Sequence, residues 1–87
     1  MIMDLNAQFE QAAKDVNTFS NRPDNPTLLK LYSLFKQATE GDVKGERPGS
    51  FDFKGAAKYD AWSELKGMDS GTAMQKYIDL VIDLKKQ

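Results

Sequence analysis

The side chains best suited to chemistry lie on one face of a predicted helix. Tyr32 and Lys36 are four residues apart, a spacing that places both on the same side of a helix. Lys54 and Lys58 repeat this spacing, and Tyr77 lies in the middle of a later helical segment. A tyrosine offers a ring for stacking and a hydroxyl, and a lysine offers positive charge for phosphate. Together these residues would suit a ligand that carries an aromatic ring and phosphates.

The same spacing is also typical of an ordinary helix. Aromatic side chains at helical spacing are more often core residues, and lysines are more often solvated surface charges. The chain has no glycine-rich phosphate loop of the P-loop or dinucleotide-binding kind. From the residues alone, a nucleotide-binding face and a purely structural arrangement both stay open.

The composition excludes several classes of protein. The chain has 87 residues and contains no Cys and no His. Disulfides, thiol nucleophiles, the usual zinc sites and the Ser-His and Cys-His pairs are therefore excluded, and we expect no enzyme, no metal and no cofactor. The 12 Lys+Arg residues balance 13 Asp+Glu residues, which argues against a nucleic-acid partner bound by bulk positive charge.

Hydropathy and length set the expected compartment and size. No run of residues approaches the roughly 18 apolar residues of a transmembrane helix, so we expect no stable membrane insertion. Residues 1–6 lack the basic and apolar regions of a signal peptide, and with the absence of Cys this favours the cytoplasm. The length predicts a single domain over residues 1–87, which we expect to be a monomer.

Four helices are predicted, over about residues 6–19, 25–40, 54–66 and 69–86, because apolar side chains recur there at i, i+3, i+4 spacing. Asp24 or Asn25 can cap the second helix and Asp69 or Ser70 the fourth. The second helix should end at a left-handed Gly41, the third at Gly67, and the first at Asn21-Arg22-Pro23. The inward residues are expected to be Phe9, Ala12, Ala13, Val16 and either Phe19 or Ser20; Leu28, Leu29, Leu31, Tyr32, Leu34, Phe35 and Ala38; Ala57, Ala61, Trp62 and Leu65; and Ala73, Met74, Tyr77, Ile78, Val81, Ile82 and Leu84. The fold class is therefore all-α, with a long loop over residues 41–53.

A series of short motifs, in order from about Phe9 to Lys86, resembles the acyl-CoA-binding protein family. The motifs are Tyr32-Ser33-Leu34-Phe35-Lys36-Gln37-Ala38-Thr39-Glu40-Gly41-Asp42, Glu46-Arg47-Pro48-Gly49, Asp52-Phe53-Lys54-Gly55, Lys58-Tyr59-Asp60-Ala61-Trp62, Glu64-Leu65-Lys66-Gly67, and Ala73-Met74 with Tyr77-Ile78. The resemblance implies a four-helix bundle of up-down-down-up topology. It also implies reversible binding of long-chain fatty acyl-CoA esters by an intracellular carrier and buffer that performs no chemistry.

The resemblance also implies the site residues. Tyr32 and Lys36 would meet the nucleotide head, Lys58 would contact its phosphates, and Tyr77 would close its adenine and ribose end. The acyl groove would be lined by Ala13, Leu28 and Leu29. Ser33, Phe35 and Lys54 complete the predicted ligand-binding set, whereas Trp62 is interpreted as mainly structural and Glu40 as a solvated or capping charge.

Three positions depart from the family pattern. Phe35 stands where many members have Tyr, so the ring is kept and a hydroxyl is lost. Tyr59 stands where many members have Trp. Asn17 stands where a basic residue is common, which counts against a phosphate contact from the first helix.

Two other functions compete with that of a carrier. A helical protein-interaction module, with incidental lipid binding, would place its binding face away from Tyr32 and Lys36. An acyl-CoA isomerase or thioesterase is disfavoured, because the chain has no second domain and no His or Cys.

Overall fold

The computed structural model describes residues 4–86, and these form four α-helices. They are α1 (Leu5–Val16), α2 (Asn25–Glu40), α3 (Phe53–Ser63) and α4 (Ser70–Lys85). No strand occurs within the described residues. The prediction of an all-α, four-helix protein is confirmed, and no helix in residues 4–86 is long and apolar enough to cross a membrane.

An aspartate caps the start of every helix. The carboxylates of Asp4, Asp24, Asp52 and Asp69 each accept a hydrogen bond from the backbone amide three residues later, at 2.7–3.0 Å. Each bond satisfies an amide that has no partner within the helix, and the negative charge complements the helix dipole. The predicted caps of α2 and α4 are thereby identified as Asp24 and Asp69. At α3 the cap also explains Gly55, since a Cβ there would lie 2.3 Å from Asp52 Oδ2.

Two helices end earlier than predicted, and both ends carry a hydroxyl side chain. α1 ends at Val16, because the amide and the hydroxyl of Thr18 both donate to the carbonyl oxygen of Asp15, at 3.0 and 2.7 Å. α3 ends at Ser63, whose hydroxyl donates to the carbonyl oxygen of Asp60 at 2.8 Å. Bonds to the carbonyl three residues back compete with the regular helical pattern and tighten the last turn.

The helices lie side by side in the order α1, α4, α2, α3. α4 packs against both α1 and α2, and α3 packs against the other side of α2. The Cα atoms span 46 × 29 × 15 Å, so the molecule is a flat slab about one helix thick. Within the described residues the backbones of α1 and α2 do not pack closely on each other, which leaves a groove between them.

The hydrophobic core lies where α4 meets α1 and α2. Its buried members are Phe9, Ala12, Leu31, Leu34, Ala38, Ala73, Tyr77, Ile78 and Val81. α3 contributes the buried Trp62 and also Ala56, which the sequence did not predict to point inward; the predicted Ala57 and Ala61 are only half-buried. Ile82 is exposed, so its predicted place on the apolar face of α4 is wrong. Phe35, also predicted to point inward, is partly exposed, although its ring packs against Phe9. α4 packs against α1 and α2 through Ala73, Tyr77, Ile78 and Val81, a face narrower than the one predicted.

The long loop over residues 41–52 is fixed to α3 by side chains rather than by regular structure. Trp62 Nε1 donates to the carbonyl oxygen of Gly41 (2.8 Å), the Tyr59 hydroxyl donates to that of Gly45 (3.1 Å), and Arg47 makes two bonds to Asp60 (2.8 and 3.0 Å). Tyr59 therefore uses its hydroxyl to hold the loop. Gly41 ends α2 with a positive φ of 80°, as predicted, but its ψ of −147° lies outside the left-handed helical region that the sequence predicted.

A buried amide joins the end of α2 to the connection between α3 and α4. Gln37 is fully buried, and its Nε2 donates to Asp42 Oδ1 (2.9 Å) and to the carbonyl oxygen of Met68 (2.8 Å). The same Asp42 oxygen accepts from the amide of Gly67 at 2.8 Å. These bonds, first that from Gly67, lower the pKa of Asp42. We call Gln37, Asp42, Gly67 and Met68 the glutamine node.

Candidate functional site

Four side chains from α2 and α3 form one surface cluster. The Nζ atoms of Lys36 and Lys58 lie 6.0 and 5.1 Å from the centroid of the Tyr32 ring. The Nζ atom of Lys36 also lies 5.2 Å from the ring of Trp62. Distances of this size allow the ring quadrupole to attract the ammonium group. The structure thus brings together Tyr32, Lys36, Lys58 and Trp62, which we call the lysine cluster.

Two helical pairs on neighbouring helices build the lysine cluster. Tyr32 and Lys36 are separated by one turn of α2, and Lys58 and Trp62 by one turn of α3. Packing of α3 against α2 places the two pairs side by side. Trp62 is buried and its ring nitrogen is bonded to Gly41, so it gives Lys36 a fixed aromatic support. The sequence identified Trp62 as structural, and the structure adds this contact with the cation.

The cluster holds two cations and one directly paired carboxylate. Glu40, one turn after Lys36 on α2, forms an ion pair with the Lys36 ammonium group. The hydrogen bond between them raises the pKa of Lys36 and lowers the pKa of Glu40. Within residues 4–86, no carboxylate forms an ion pair with Lys58. The lysine cluster therefore keeps an excess of positive charge on an aromatic surface, an arrangement suited to an anionic ligand that carries a ring.

An apolar groove runs between α1 and α2. Its walls include Phe9 and Ala13 from α1, Phe35 from α2 and Met74 from α4, around a volume of about 660 Å³. The rings of Phe9 and Phe35 stack at 5.4 Å across the gap between the two helices. Phe35 is 39% exposed, so it presents an apolar surface to the groove. The groove contains two of the predicted ligand-binding residues, Ala13 and Phe35.

Tyr77 lies in the buried core rather than in the lysine cluster. Its side chain is 5% exposed, and its ring packs edge-on against Phe9 at 5.1 Å and beside Phe35 at 6.1 Å. Burial raises the pKa of its phenol. The faces of the ring are covered by protein, so in this structure Tyr77 supports the aromatic wall of the groove.

The remaining predicted residues lie outside the lysine cluster. Ser33 is buried, and its hydroxyl donates to the carbonyl oxygen of Lys30 at 3.0 Å, on a side of α2 that faces Leu65 and Leu80. Lys54 is exposed in the first turn of α3. Leu28 and Leu29 are half-buried near the start of α2, where Leu28 packs against the core.

Two features of the site were missing from the sequence interpretation. The sequence interprets Glu40 as a solvated or capping charge, although its spacing of four residues from Lys36 is a visible signal for an ion pair. The sequence places Phe9 on the inward face of its helix, and its ring also lines the groove. Within residues 4–86, no group of three or more acidic side chains is placed to hold a metal ion.

Another cavity, of about 680 Å³, lies at the connection between α1 and α2. Its lining includes Phe19, Arg22, Pro23 and Leu84, and none of the predicted ligand-binding residues. Its walls are mainly polar loop residues, and it contains none of the lysine cluster. We therefore place the candidate site on the lysine cluster and the adjoining face of α2.

Known proteins share the sequence and the overall fold of this chain. The family model for "Acyl CoA binding protein" matches residues 6–81. The acyl-CoA-binding protein homolog 1 of Caenorhabditis elegans is 46% identical over 92% of this chain and 93% of its own length. The homolog of Drosophila melanogaster is 44% identical over 88% and 90%. The crystal structure of Oryza sativa acyl-CoA-binding protein 2 superposes with a TM-score of 0.90 and 38% identity, covering 95% of this chain and 92% of that one.

Proposed function

Because this chain belongs to the acyl-CoA-binding protein family and so serves as an acyl-CoA-binding carrier, we propose that the lysine cluster receives the CoA head. The observation that carries this proposal is the convergence of the Lys36 and Lys58 ammonium groups on the ring of Tyr32. The family match does not favour the alternative of a protein-interaction module.

The head of CoA has the chemistry that this cluster would recognise. Its phosphates carry negative charge and its adenine presents a flat ring. A lysine held against a phosphate contributes about 1.5–3 kcal/mol, more than a neutral hydrogen bond, because the contact is charge-assisted. Tyr32 is half-buried, so its ring keeps an accessible part for stacking. Lys58 would contact a phosphate directly, whereas Lys54, exposed one turn earlier on α3, would add a weaker contact at the rim.

The acyl chain requires an apolar surface that water does not cover. Burying each methylene group contributes about 0.8 kcal/mol before ordering costs. We propose that Leu28, Leu29 and Ala13 supply this surface, since all three are half-buried and so keep apolar area to offer. Phe35 would add its exposed ring, and Tyr77 would act from below by supporting that ring. The hydroxyl of Ser33 is bonded to the carbonyl oxygen of Lys30, so it is already engaged. Ser33 would therefore contribute to the site only through its backbone, as part of α2.

We further propose that the protein holds its ligand without catalysis, as a cytoplasmic monomer with one domain and one site. The absence of His and Cys from the chain supports a non-reactive carrier for a thioester. The match of one family model to residues 6–81 supports a single domain.

Calorimetric titration with a series of saturated acyl-CoA esters tests the proposal and measures the preferred chain length. Free CoA and free fatty acid are the controls for the two ends of the ligand. We expect one molecule bound per chain, and about ten- to a hundred-fold weaker binding for Lys36→Ala, because it removes a charge-assisted phosphate contact. Lys76→Ala, on the exposed side of α4, is the matched control and should bind as the wild type does. Equal affinity for free fatty acid and acyl-CoA would contradict a role for the lysine cluster.

A further inference from the structure

We infer that Glu40 is an internal competitor for the ligand phosphates, occupying Lys36 in the free protein and giving it up when the CoA head docks. This inference rests on the proposed function, because it deepens the role given to the lysine cluster. Glu40 would thus set the affinity of the site through Lys36, without itself contacting the ligand.

The position of Glu40 makes the competition direct. Its carboxylate pairs with the Lys36 ammonium group, which also lies over the rings of Tyr32 and Trp62. The side chains of Lys36 and Glu40 are 27% and 41% exposed, so an incoming phosphate can reach the pair. A phosphate that binds Lys36 must either displace this carboxylate or share the ammonium group with it, and both outcomes reduce the gain from binding.

Two of the other carboxylates near the cluster in sequence are engaged elsewhere. Asp60 is held by two bonds from Arg47 on the loop. Asp42 belongs to the glutamine node, where it accepts from Gly67 and Gln37. Glu40 is therefore the one carboxylate in residues 4–86 that forms an ion pair within the lysine cluster.

The displaced carboxylate has a second cation nearby. The charge of Lys44, in the loop that follows α2, also acts on Glu40. A phosphate monoester carries a charge of about −1.5 to −2 near neutral pH, whereas a carboxylate carries a charge of −1. The phosphate therefore attracts the Lys36 ammonium group more strongly than Glu40 does. The side chain of Glu40 is 41% exposed, so water can solvate the released carboxylate, and the positive charge of Lys44 would favour it further.

The variant Glu40→Gln tests the inference, because it keeps the size of the side chain and removes its charge. Titration with hexadecanoyl-CoA and with free CoA should show about three- to ten-fold tighter binding than the wild type for both probes, since the change affects only the head. The affinity should also fall more steeply with salt, because Lys36 is then fully available to phosphate. Asp83→Asn, an exposed change of the same charge on α4, is the matched control and should leave both affinities unchanged.

A double-mutant cycle separates a route through Lys36 from a general charge effect. In the Lys36→Ala background, Glu40→Gln should change the affinity for free CoA by less than about two-fold. A full increase in that background would overturn the inference, as would an unchanged or weaker affinity for the single variant. If the wild type bound neither probe, the proposed function would fail and the inference with it. If the wild type binds both and Glu40→Gln binds equally well, only the inference fails.

Discussion

Lys36 and Gln37 are neighbours in the sequence and belong to two different regions of the molecule. Lys36 lies at the surface in the lysine cluster, over two aromatic rings. Gln37 is fully buried in the glutamine node, where its amide holds the connection between α3 and α4. Successive residues of a helix point about 100° apart, so one turn of α2 serves both regions. The proposed ligand-binding surface is therefore built directly on the buried contact that holds the connection between α3 and α4.

The two regions use polar groups in opposite ways. In the glutamine node, polar atoms pair with each other and with backbone, apart from Gln37 Oε1, which is buried without a partner. In the lysine cluster, Lys58 has no ion-pair partner in residues 4–86. We therefore expect substitutions in the node to change the free energy of unfolding and substitutions in the cluster to change affinity.

The largest expected effect is that of Gln37→Ala on stability. The variant removes two hydrogen bonds and leaves a cavity at a fully buried position, which we expect to cost about 2–4 kcal/mol of unfolding free energy. The thermal midpoint should fall by roughly 10–20 °C, as followed by circular dichroism. Gln75→Ala removes only an exposed bond to Asp79 on α4 and is the matched control. A midpoint like that of the wild type would show that the node does not hold the fold together.

The next effect is that of Lys58→Ala on affinity. We expect about ten- to a hundred-fold weaker binding of acyl-CoA by calorimetry, because no carboxylate in residues 4–86 forms an ion pair with Lys58 that a phosphate would have to displace. The thermal midpoint should stay within about 2 °C of the wild type, since the side chain is exposed. Lys30→Ala, an exposed change on α2, is the control for charge. A large loss of stability without a loss of affinity would remove the distinction between the two regions.

Trp62→Phe should change both the free energy of unfolding and the affinity for acyl-CoA, each by a smaller amount, because Trp62 connects the glutamine node side of the molecule with the lysine cluster. The variant loses the bond from Nε1 to the carbonyl oxygen of Gly41, which we expect to cost about 1–2 kcal/mol of unfolding free energy. It keeps a ring beneath Lys36, so affinity for acyl-CoA should fall by only about two- to five-fold. Chemical denaturation and calorimetry on the same sample measure both effects. A change in one quantity alone would assign Trp62 to a single region.

The fold could be predicted where its causes are local. The bounds of α2 follow from Asp24, Pro26 and Gly41, each of which acts within one turn of its own position. The ends of α1 and α3 could not be predicted, because Thr18 and Ser63 have two competing uses for their hydroxyls. The order in which the helices pack depends on contacts between distant residues, and no single segment carries that information.

The candidate site could likewise be predicted where its residues are close in the sequence or belong to a family motif. The spacing of Tyr32 and Lys36 places them on one face, and the family motifs add Lys58 from another helix. Gln37 appeared only as part of a motif, because its burial depends on Met68, 31 residues away. The position of Tyr77 in the aromatic wall likewise depends on Phe9, at the other end of the chain. Periodicity shows which way a side chain points, but not what it meets there.

The smallest expected effect is on the pH dependence of the free energy of unfolding, to which Asp42 in the glutamine node contributes. Hydrogen bonds from Gly67 and Gln37 lower the pKa of Asp42 in the folded protein, so the folded state binds the proton less readily than the unfolded chain. The resulting stabilisation is complete above the unfolded value, near pH 4, and is lost as the pH falls through the lower folded pKa. Asp42→Asn should therefore be less stable than the wild type at pH 6, with a difference that shrinks below about pH 4 in urea unfolding. A constant difference for Asp42→Asn across this range would mean that the node needs the shape of Asp42 rather than its charge.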